Sequence, residues 1–574
     1  MNQPTHIQSK KWQVAPPIPT GSQNQLGHIH PALLQILYSR GITSPAAVQA
    51  FLDGRYLNKT DPFLLADMDT AVARIQQAIQ NDETIIVYGD FDADGVTSTV
   101  LLTQALRGLG LARQQAQPYI PDRVDEGYGL NMGALTRLKE NGAGLVISVD
   151  CGIRSVAEVK YAQEIGLDMI VTDHHSLGPE IPPAAAILNP KRPDSAYPET
   201  MLAGVGIAFK LAQALRQTMP DRAQYDDQDL LDLVAIGTVA DLAPLLHENR
   251  KLVADGLAVM NERPRPGVQA LINVSGHKKG SLTAESIGFG LGPRINAAGR
   301  LAHAYDAAKL LAVNNDVDAR HLAVKLNDLN KRRQQITREM GERAETMVNP
   351  DDSILIAAAD DFLPGIVGLV ASRLNDKYYR PAIVLEQGET ESRGSCRSID
   401  EFHMTDALDE VADLLVRHGG HAQAAGFTIA NENMPEFKER MMDIARRKLA
   451  GLELTPTVMI DAEIELESVD WALQENLATL EPTGAANPTP VFISRNAEVI
   501  HHRTVGQNGD HLQVQLTSSG TGAYKSIPGI AFRQGEWANH MPQYIDVAYT
   551  ININEWRGRR NLQLMVKDIK PAQP

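Results

Sequence analysis

From residue 84 onward the apolar positions fall into an alternation. Runs at 84–89 ("TIIVYG"), near 116–120, at 144–149 ("GLVISV") and at 168–172 ("DMIVT") read as strands. Between and after them, 96–109, 131–141, 155–165 and 202–218 carry apolar residues at helical spacing. Strands that alternate with helices predict a parallel sheet covered on both faces. A further helical pattern, "DLLDLVAIGTVADLAPL" over 229–245, ends near Asp241.

Upstream, residues 1–62 read as a helical lead-in ("HPALLQILYSRG", "SPAAVQAFLDG"), with Asp69 or Thr70 expected to cap the helix "AVARIQQAIQ". Downstream, "NNDVDARHLAVKLNDLNKRRQQITREM" has no glycine until 341 and predicts one long helix bridging two lobes. A second α/β unit follows, with strands 353–358, 381–385 and 391–397, helices 366–377 and 404–417, and the glycine-rich "RHGGHAQAAGF". The last 120 or so residues alternate in the manner of strands ("TVMIDAEIEL", "HLQVQLTS", "YIDVAYTININEW", "RNLQLMVKDI"), which predicts a small β-barrel. The expected divisions are 1–62, 63–312, 313–350, 351–452 and 453–574.

Composition narrows this picture in three ways. A net charge of −16 over 574 residues argues against coating nucleic acid through overall positive charge, while leaving room for a local basic channel supplied by runs such as "NKRRQQITREMGER" and "NEWRGRR". No apolar run is long enough to span a membrane and "MNQPTHIQSKKWQV" has no signal core, so a cytoplasmic location is expected. Two cysteines, Cys151 and Cys396, provide neither a disulfide framework nor a zinc site and are expected to be packed residues.

The chemistry gathers where strands end. "TIIVYGDFDADGVTS" sets Asp90, Asp92 and Asp94 on one short loop, and carboxylates that close repel unless a cation or several donors sit among them. An EF-hand loop begins the same way, but its bidentate glutamate position falls on Leu101 and the flanking segment is β-rich, so that reading fails. Asp150 follows "GLVISV", and Asp173, His174 and His175 follow "DMIVT". In a parallel sheet these ends converge, with Asp241 as a natural further contributor. Taken singly, an aspartate after a strand is more often a turn former or helix cap. Together, the clusters match the ligands of two octahedral Mn²⁺ or Mg²⁺ ions, which implies phosphoester hydrolysis.

The stretches "DFDADG", "SVDCG", "TDHH" and "ADLAPL" resemble the motifs of the DHH phosphoesterase superfamily. The wider pattern, through "IPDRVDEGYGLN", "GPRINAAGRL", "GSCRSID" and "RHGGHAQAAGF", is similar to its single-strand-specific 5′→3′ exonuclease branch. The resemblance implies a DHH catalytic domain built on a parallel sheet, a long connecting helix, an α/β DHHA1 domain and a C-terminal OB-fold. By position it implies that Asp90, Asp92, Asp94, Asp150, His174 and Asp241 hold two divalent ions, Mn²⁺ or Mg²⁺. Asp94, Asp150 and His175 would be catalytic, with His175 at the scissile phosphate; the division of roles between His174 and His175 stays open.

It further implies a receptor for the 5′ phosphate at Ser395, Arg397 and Arg294, joined by Arg300, with Arg123 and Tyr128 gripping nucleotides. His421 would contact the phosphate backbone or buttress the cleft. On the barrel, Trp537, Tyr524 and Trp556 are candidate stacking residues and Arg557, Arg559 and Arg560 candidate phosphate contacts, although core packing is the commoner role for any one aromatic. Leu363 departs from the pattern where relatives often carry histidine.

The expected function is metal-dependent 5′→3′ hydrolysis of single-stranded DNA to mononucleotides in repair and recombination. Its expected setting is a monomer working with single-strand-binding protein and a helicase. The alternative is a DHH phosphodiesterase acting on short oligonucleotides or cyclic dinucleotides, which the barrel and the long helix disfavour.

Overall fold

The computed structural model describes residues 10–19, 26, 28–123, 125–127, 129–506, 508–518, 526–556 and 558–572, with the side chain of Trp556 outside the description. The described residues divide into two units, one of residues 58–454 with 484–486, the other of the chain up to 57 with 455–483 and 487 onward.

The first unit begins with a five-stranded sheet in which every pairing is parallel. Its strands are β1 (Thr84–Gly89), β2 (Ala116–Tyr119), β3 (Ala143–Val149), β4 (Asp168–Thr172) and β5 (Ala186–Leu188), in the order β2-β1-β3-β4-β5. These strands are apolar almost throughout because helices bury both faces. The helices that place the site are α1 (Ala93–Gly108), α2 (Met132–Glu140), α3 (Val156–Glu164), α4 (Gly204–Thr218) and α5 (Leu231–Ala240). The strand order reverses between β1 and β3, which makes the crevice beyond their carboxyl ends the place for a ligand. Gly89 pairs with Val149, so Asp90 and Asp150 leave adjacent strands side by side at that crevice.

The helix ahead of β1, Met68–Gln80, starts differently from the expectation. Neither Asp69 nor Thr70 caps it; Asp67 occupies the cap position, in a left-handed conformation and without a side-chain cap bond. The Asp67 carboxylate instead accepts from Ile187 N–H at 3.0 Å and from Arg192, which ties this helix to β5.

Helix α6 (Gly292–Leu301) packs on α7 (Asp316–Glu345), 30 residues long and capped by the Asn315 side chain. Ala319, Ala323 and Leu326 of α7 join the core of the first lobe, whereas Met340 and Ala344 join the core that covers one face of the second. The second lobe is built on β6 (Leu355–Ala359), β7 (Ala382–Gln387), β8 (Glu391–Arg397), β9 (Leu415–Gly420) and β10 (Ala424–Ala430), in the order β9-β10-β8-β7-β6. The expected helix 404–417 stops at Asp409. After a single turn at Ala412–Leu414 the chain enters β9, because "LVRHGG" gains an antiparallel partner in β10. "RHGGHAQAAGF" is therefore a hairpin with His421 at its tip.

In the second unit the chain closes a ring of five strands, β11 (Phe492–Val505), β12 (His511–Ser518), β13 (Ile527–Ala531), β14 (Tyr544–Trp556) and β15 (Arg559–Pro571). β13 runs parallel to β15 through Gly529 and Leu564, and β14 returns to pair with β11 through Tyr549 and Phe492. A five-stranded ring of this kind is the OB architecture. The lead-in is not wholly helical: Lys11–Val14 forms a strand parallel to Thr457–Ile460, ahead of helices Pro31–Ser39 and Pro45–Leu52.

Candidate active site

Each acidic side chain is fixed by the element it begins or ends. Asp92 caps α1, its Oδ1 accepting from Asp94 N–H at 2.9 Å and Gly95 N–H at 3.0 Å. Gly95 is required there, since a Cβ would lie 2.6 Å from the Asp90 carbonyl oxygen. Asp94, 1% exposed, accepts from Gly204 N–H at 2.7 Å and Val205 N–H at 2.8 Å, so the start of α4 meets the carboxylate with unpaired donors and the positive end of its dipole. Gly204 also permits Asp150 to approach, as a Cβ at that position would lie 2.7 Å from the Asp150 Cβ. Asp150 holds φ of 60°, a conformation aspartate tolerates better than most residues. Asp241 ends α5.

These groups meet. His174 Nε2 lies 3.1 Å from Asp150 Oδ1, 3.8 Å from Asp241 Oδ2 and 4.0 Å from Asp94 Oδ2. Ligand atoms within 4.8 Å of one another come from Asp90, Asp92 and Asp150, and again from Asp94, His174 and Asp241, with a third set in Asp150, His174 and His175. Burial and neighbouring carboxylates push Asp90 up to about 8, Asp94 up to about 7 and Asp241 up to about 9, and Asp150 well above the usual range. Burial, then the neighbouring His175, pulls His174 down to about 3, so its imidazole is neutral and able to coordinate. Asp90 Oδ1, Asp150 Oδ1 and His174 Nε2 are buried and make no hydrogen bond among the described residues. Two oxygen-rich sets with imidazole, like charges pressed together and unspent lone pairs fit a pair of Mn²⁺ or Mg²⁺ ions.

His175 is held differently. Asp173 Oδ1 accepts from both its backbone N–H at 3.0 Å and its Nδ1 at 2.7 Å, while Asp173 Oδ2 accepts from Ile153 N–H at 2.9 Å. Burial opposes the imidazolium, yet the bond to Asp173 and the charges of Asp173, Asp92 and Asp94 leave His175 with a raised pKa. One histidine is thus neutral among carboxylates, and its neighbour is held by Asp173, which favours its protonated form.

Residues 84–238 match the DHH family N-terminal domain, 351–447 the DHHA1 domain and 460–568 the RecJ OB domain. The chain is 39% identical over 548 residues to the single-stranded-DNA-specific exonuclease RecJ of Bacillus subtilis, covering 94% of this chain and 68% of that protein. It is 35% identical over 574 residues to the protein of the same name from Dickeya dadantii, covering 96% and 98%. The chain belongs to the RecJ family. Among solved structures, RecJ in complex with Mn²⁺ from Thermus thermophilus matches with a TM-score of 0.85 at 29% identity, over 98% of this chain and 80% of that one.

Within the RecJ frame, a basic recess adjoins the acidic cluster. Arg123 stacks on Phe91 with its guanidinium carbon 3.7 Å from the ring centroid, donates from Nε to Gly299 O at 2.9 Å, and feels Asp90 and Asp92. Arg300 donates to Gly365 O at 2.9 Å; burial and the like charges of Arg123 and Arg333 bring it down to about 10, with Arg397 adding to that repulsion. Ser395 and Arg397 sit over Gly368, where a Cβ would lie 2.9 Å from Ser395 Oγ and 3.4 Å from Arg397 Nη2. Arginines gathered closely enough to repel one another suit a phosphate.

Arg294 donates to Gly290 O at 2.6 Å, Asn327 Oδ1 at 3.1 Å and Val274 O at 3.5 Å. His421 reaches toward the catalytic loops from the hairpin tip, where burial and the charges of Arg154, His175 and Lys191 lower its pKa. Tyr128 lies outside the described residues. Leu363 is 40% exposed and offers no polar group.

Several contributors escaped the sequence. Lys191 Nζ donates to His174 O, while Asn189 Nδ2 donates to His175 O at 3.0 Å, so the "NPKR" turn grips the histidine loop. Arg154 donates to Ser176 O at 2.9 Å from the "SVDCGIRS" loop. Arg333 belongs to "NKRRQQ", a basic run whose pattern does not say which of its two arginines faces Arg300. Both cysteines are buried and free, as packed residues should be.

On the barrel, Trp537 is 1% exposed and belongs to the core, which corrects the stacking assignment. Tyr524 and Arg557 lie outside the described residues, as does the side chain of Trp556. Arg560 lies with its guanidinium carbon 5.6 Å from the Trp471 ring, and Arg559 is exposed on the same strand. Among the described aromatics of this unit the most exposed is Phe532, at 53%, with its ring 5.0 Å from His511, edge to face.

Proposed function

We propose that the chain is a metal-dependent exonuclease that hydrolyses single-stranded DNA from its 5′ end to mononucleotides, in DNA repair and recombination. The observation that carries this reading is the meeting of six ligand side chains, from three loops and one helix end, with Asp90 Oδ1, Asp150 Oδ1 and His174 Nε2 left unspent. Asp90, Asp92, Asp94, Asp150, His174 and Asp241 would hold two Mn²⁺ or Mg²⁺ ions. When bound, such ions polarise a phosphoryl oxygen and lower the pKa of water toward neutrality.

The protein's own groups do the rest. His175, oriented by Asp173, donates a hydrogen bond or proton to the scissile phosphate. Ser395, Arg397 and Arg294, joined by Arg300 and with Arg333 beside it, receive the 5′ phosphate. Arg123 and His421 line the path of the strand. The ring-closed OB unit and the named relatives favour a polymer over short oligonucleotides or cyclic dinucleotides. Single-strand-binding protein and a helicase would supply the strand to a monomeric enzyme in the cytoplasm; no helix among the described residues is long and apolar enough to cross a membrane.

The test is Asp94→Ala, assayed on 5′-phosphorylated single-stranded DNA, duplex DNA, an RNA dinucleotide and pyrophosphate with either metal. Wild type should release mononucleotides from the single strand alone, and the variant should release none while keeping its circular dichroism spectrum. A variant cutting at the wild-type rate would refute the metal assignment.

A further inference from the structure

A second cavity, of 690 Å³, opens in the first unit at the other end of α1. Sites for small organic ligands run from roughly 300 to 1,000 Å³. α1 starts at the acidic cluster and reaches this cavity with Thr103, Gln104 and Arg107. At about 1.5 Å per residue, Thr103 and Arg107 lie about 14 and 20 Å along the helix from Asp94, and none of the candidate metal ligands lines the cavity. The remaining walls come from edge strand β2, the helix Tyr305–Ala312 and the first turns of α7, with Val100, Pro118 and Leu322 apolar and Tyr305 aromatic.

Two features of the lining are unbalanced. Arg107, Arg113 and Lys309 stand against one lining carboxylate, Asp318, which already accepts from Asn315 Nδ2 at 2.9 Å. Arg107 spends Nε and Nη2 on Ala116 O, at 3.1 and 2.9 Å, and burial followed by the like charge of Arg113 lowers its pKa. In a chain of net charge −16 this is a local excess of cations. The second feature is Thr103, 3% exposed, whose hydroxyl makes no hydrogen bond among the described residues. Thr97 and Thr99 on the same helix donate to the carbonyls of Ala93 and Gly95, four residues back. A buried hydroxyl left over in the lining of a cationic cavity calls for a partner from outside.

We infer that this cavity binds a mononucleotide, with its phosphate on Arg107, Arg113 and Lys309, its base along Tyr305 and the apolar wall, and a polar atom on Thr103. The choice of nucleotide rests on the proposed reaction, which releases such molecules. Inorganic phosphate would leave the apolar walls and most of the volume unused, and a peptide of aspartate and glutamate offers no planar ring to the Tyr305 wall.

The experiment is isothermal titration of the EDTA-treated full chain with dAMP, inorganic phosphate and an acidic peptide. Arg113→Ala/Lys309→Ala, both exposed positions, and Thr103→Val serve as variants. The inference expects dAMP binding that the double substitution weakens at least tenfold and Thr103→Val weakens severalfold, with phosphate binding more weakly than dAMP. It is overturned by dAMP binding that the double variant retains in full, by no dAMP binding, or by phosphate or the peptide binding at least as tightly as dAMP. Nuclease activity of Asp94→Ala reports separately on the reaction itself, so the two failures cannot be confused.

Discussion

His174 Nε2 stands 3.1 Å from Asp150 Oδ1, while the adjacent His175 turns Nδ1 to Asp173 at 2.7 Å. Two neighbouring imidazoles thereby acquire opposite chemistry. The first is neutral, buried among carboxylates and suited to a metal; the second is a donor to an aspartate that favours its protonated form.

Replacing each histidine in turn should separate these roles. His174→Ala should weaken Mn²⁺ binding by about 10- to 100-fold or more, on the scale of lost groups at metal centres, with activity partly recovered at high Mn²⁺. His175→Ala should leave Mn²⁺ affinity within a few-fold of wild type and lower kcat by about 10²- to 10⁴-fold, as expected for a lost proton donor. Mn²⁺ titrations of the hydrolysis rate provide the measurement. If His175→Ala were rescued by excess Mn²⁺ and His174→Ala were not, the assignments would exchange.

The crowded carboxylates predict how the metal-free protein responds to pH. Asp90, Asp94 and Asp241 sit at about 8, 7 and 9 when folded, against about 4 for aspartate in an unfolded chain. Between those limits the folded state holds more protons than the unfolded one, so stability falls as pH rises. The contribution is complete below about pH 4 and is lost as pH climbs through 7 to 9. EDTA-treated protein should therefore melt at a lower temperature at pH 9 than at pH 6. Saturating Mn²⁺ should reverse that slope, since the ions displace the protons. A melting temperature that ignores pH in EDTA would mean that the carboxylates are not forced together.

How much of this was legible in the sequence depended on whether a feature was local. Asp90, Asp92, Asp94, Asp150 and His174 could be read because each follows an apolar run, and a parallel sheet gathers strand ends automatically. Arg333 and Lys191 could not, because their roles depend on where a long helix and a distant turn come to rest. "DALDEVADLLV" has helical spacing into what becomes β9, and only the pairing with β10 converts its end to strand. β11 went unnoticed for a related reason: shifts in register between Ser494 and Ala497 and between Val499 and His501 break the alternation that marks a strand. Arg294 and Arg300 lie six residues apart on one segment, and nothing in their spacing says that one bonds the nearby Gly290 O and the other the distant Gly365 O.

Trp537 and Phe532 offer the last test, because the same barrel turns one aromatic inward and the other outward. Trp537→Ala would empty a filled core position and should cost about 3–5 kcal/mol of stability, seen as a lower denaturant midpoint. Its effect on DNA binding should follow only from unfolding. Phe532→Ala removes an exposed ring beside His511 and should leave the midpoint unchanged. If that ring stacks on bases, binding to long single strands should weaken by about 1–3 kcal/mol, roughly 5- to 150-fold, with little dependence on base sequence. Because stacking carries no phosphate contact, the slope of affinity against salt should stay at its wild-type value, whereas Arg559→Ala/Arg560→Ala should flatten it. Wild-type affinity in Phe532→Ala would remove this aromatic from the DNA path and leave the barrel to act through its arginines.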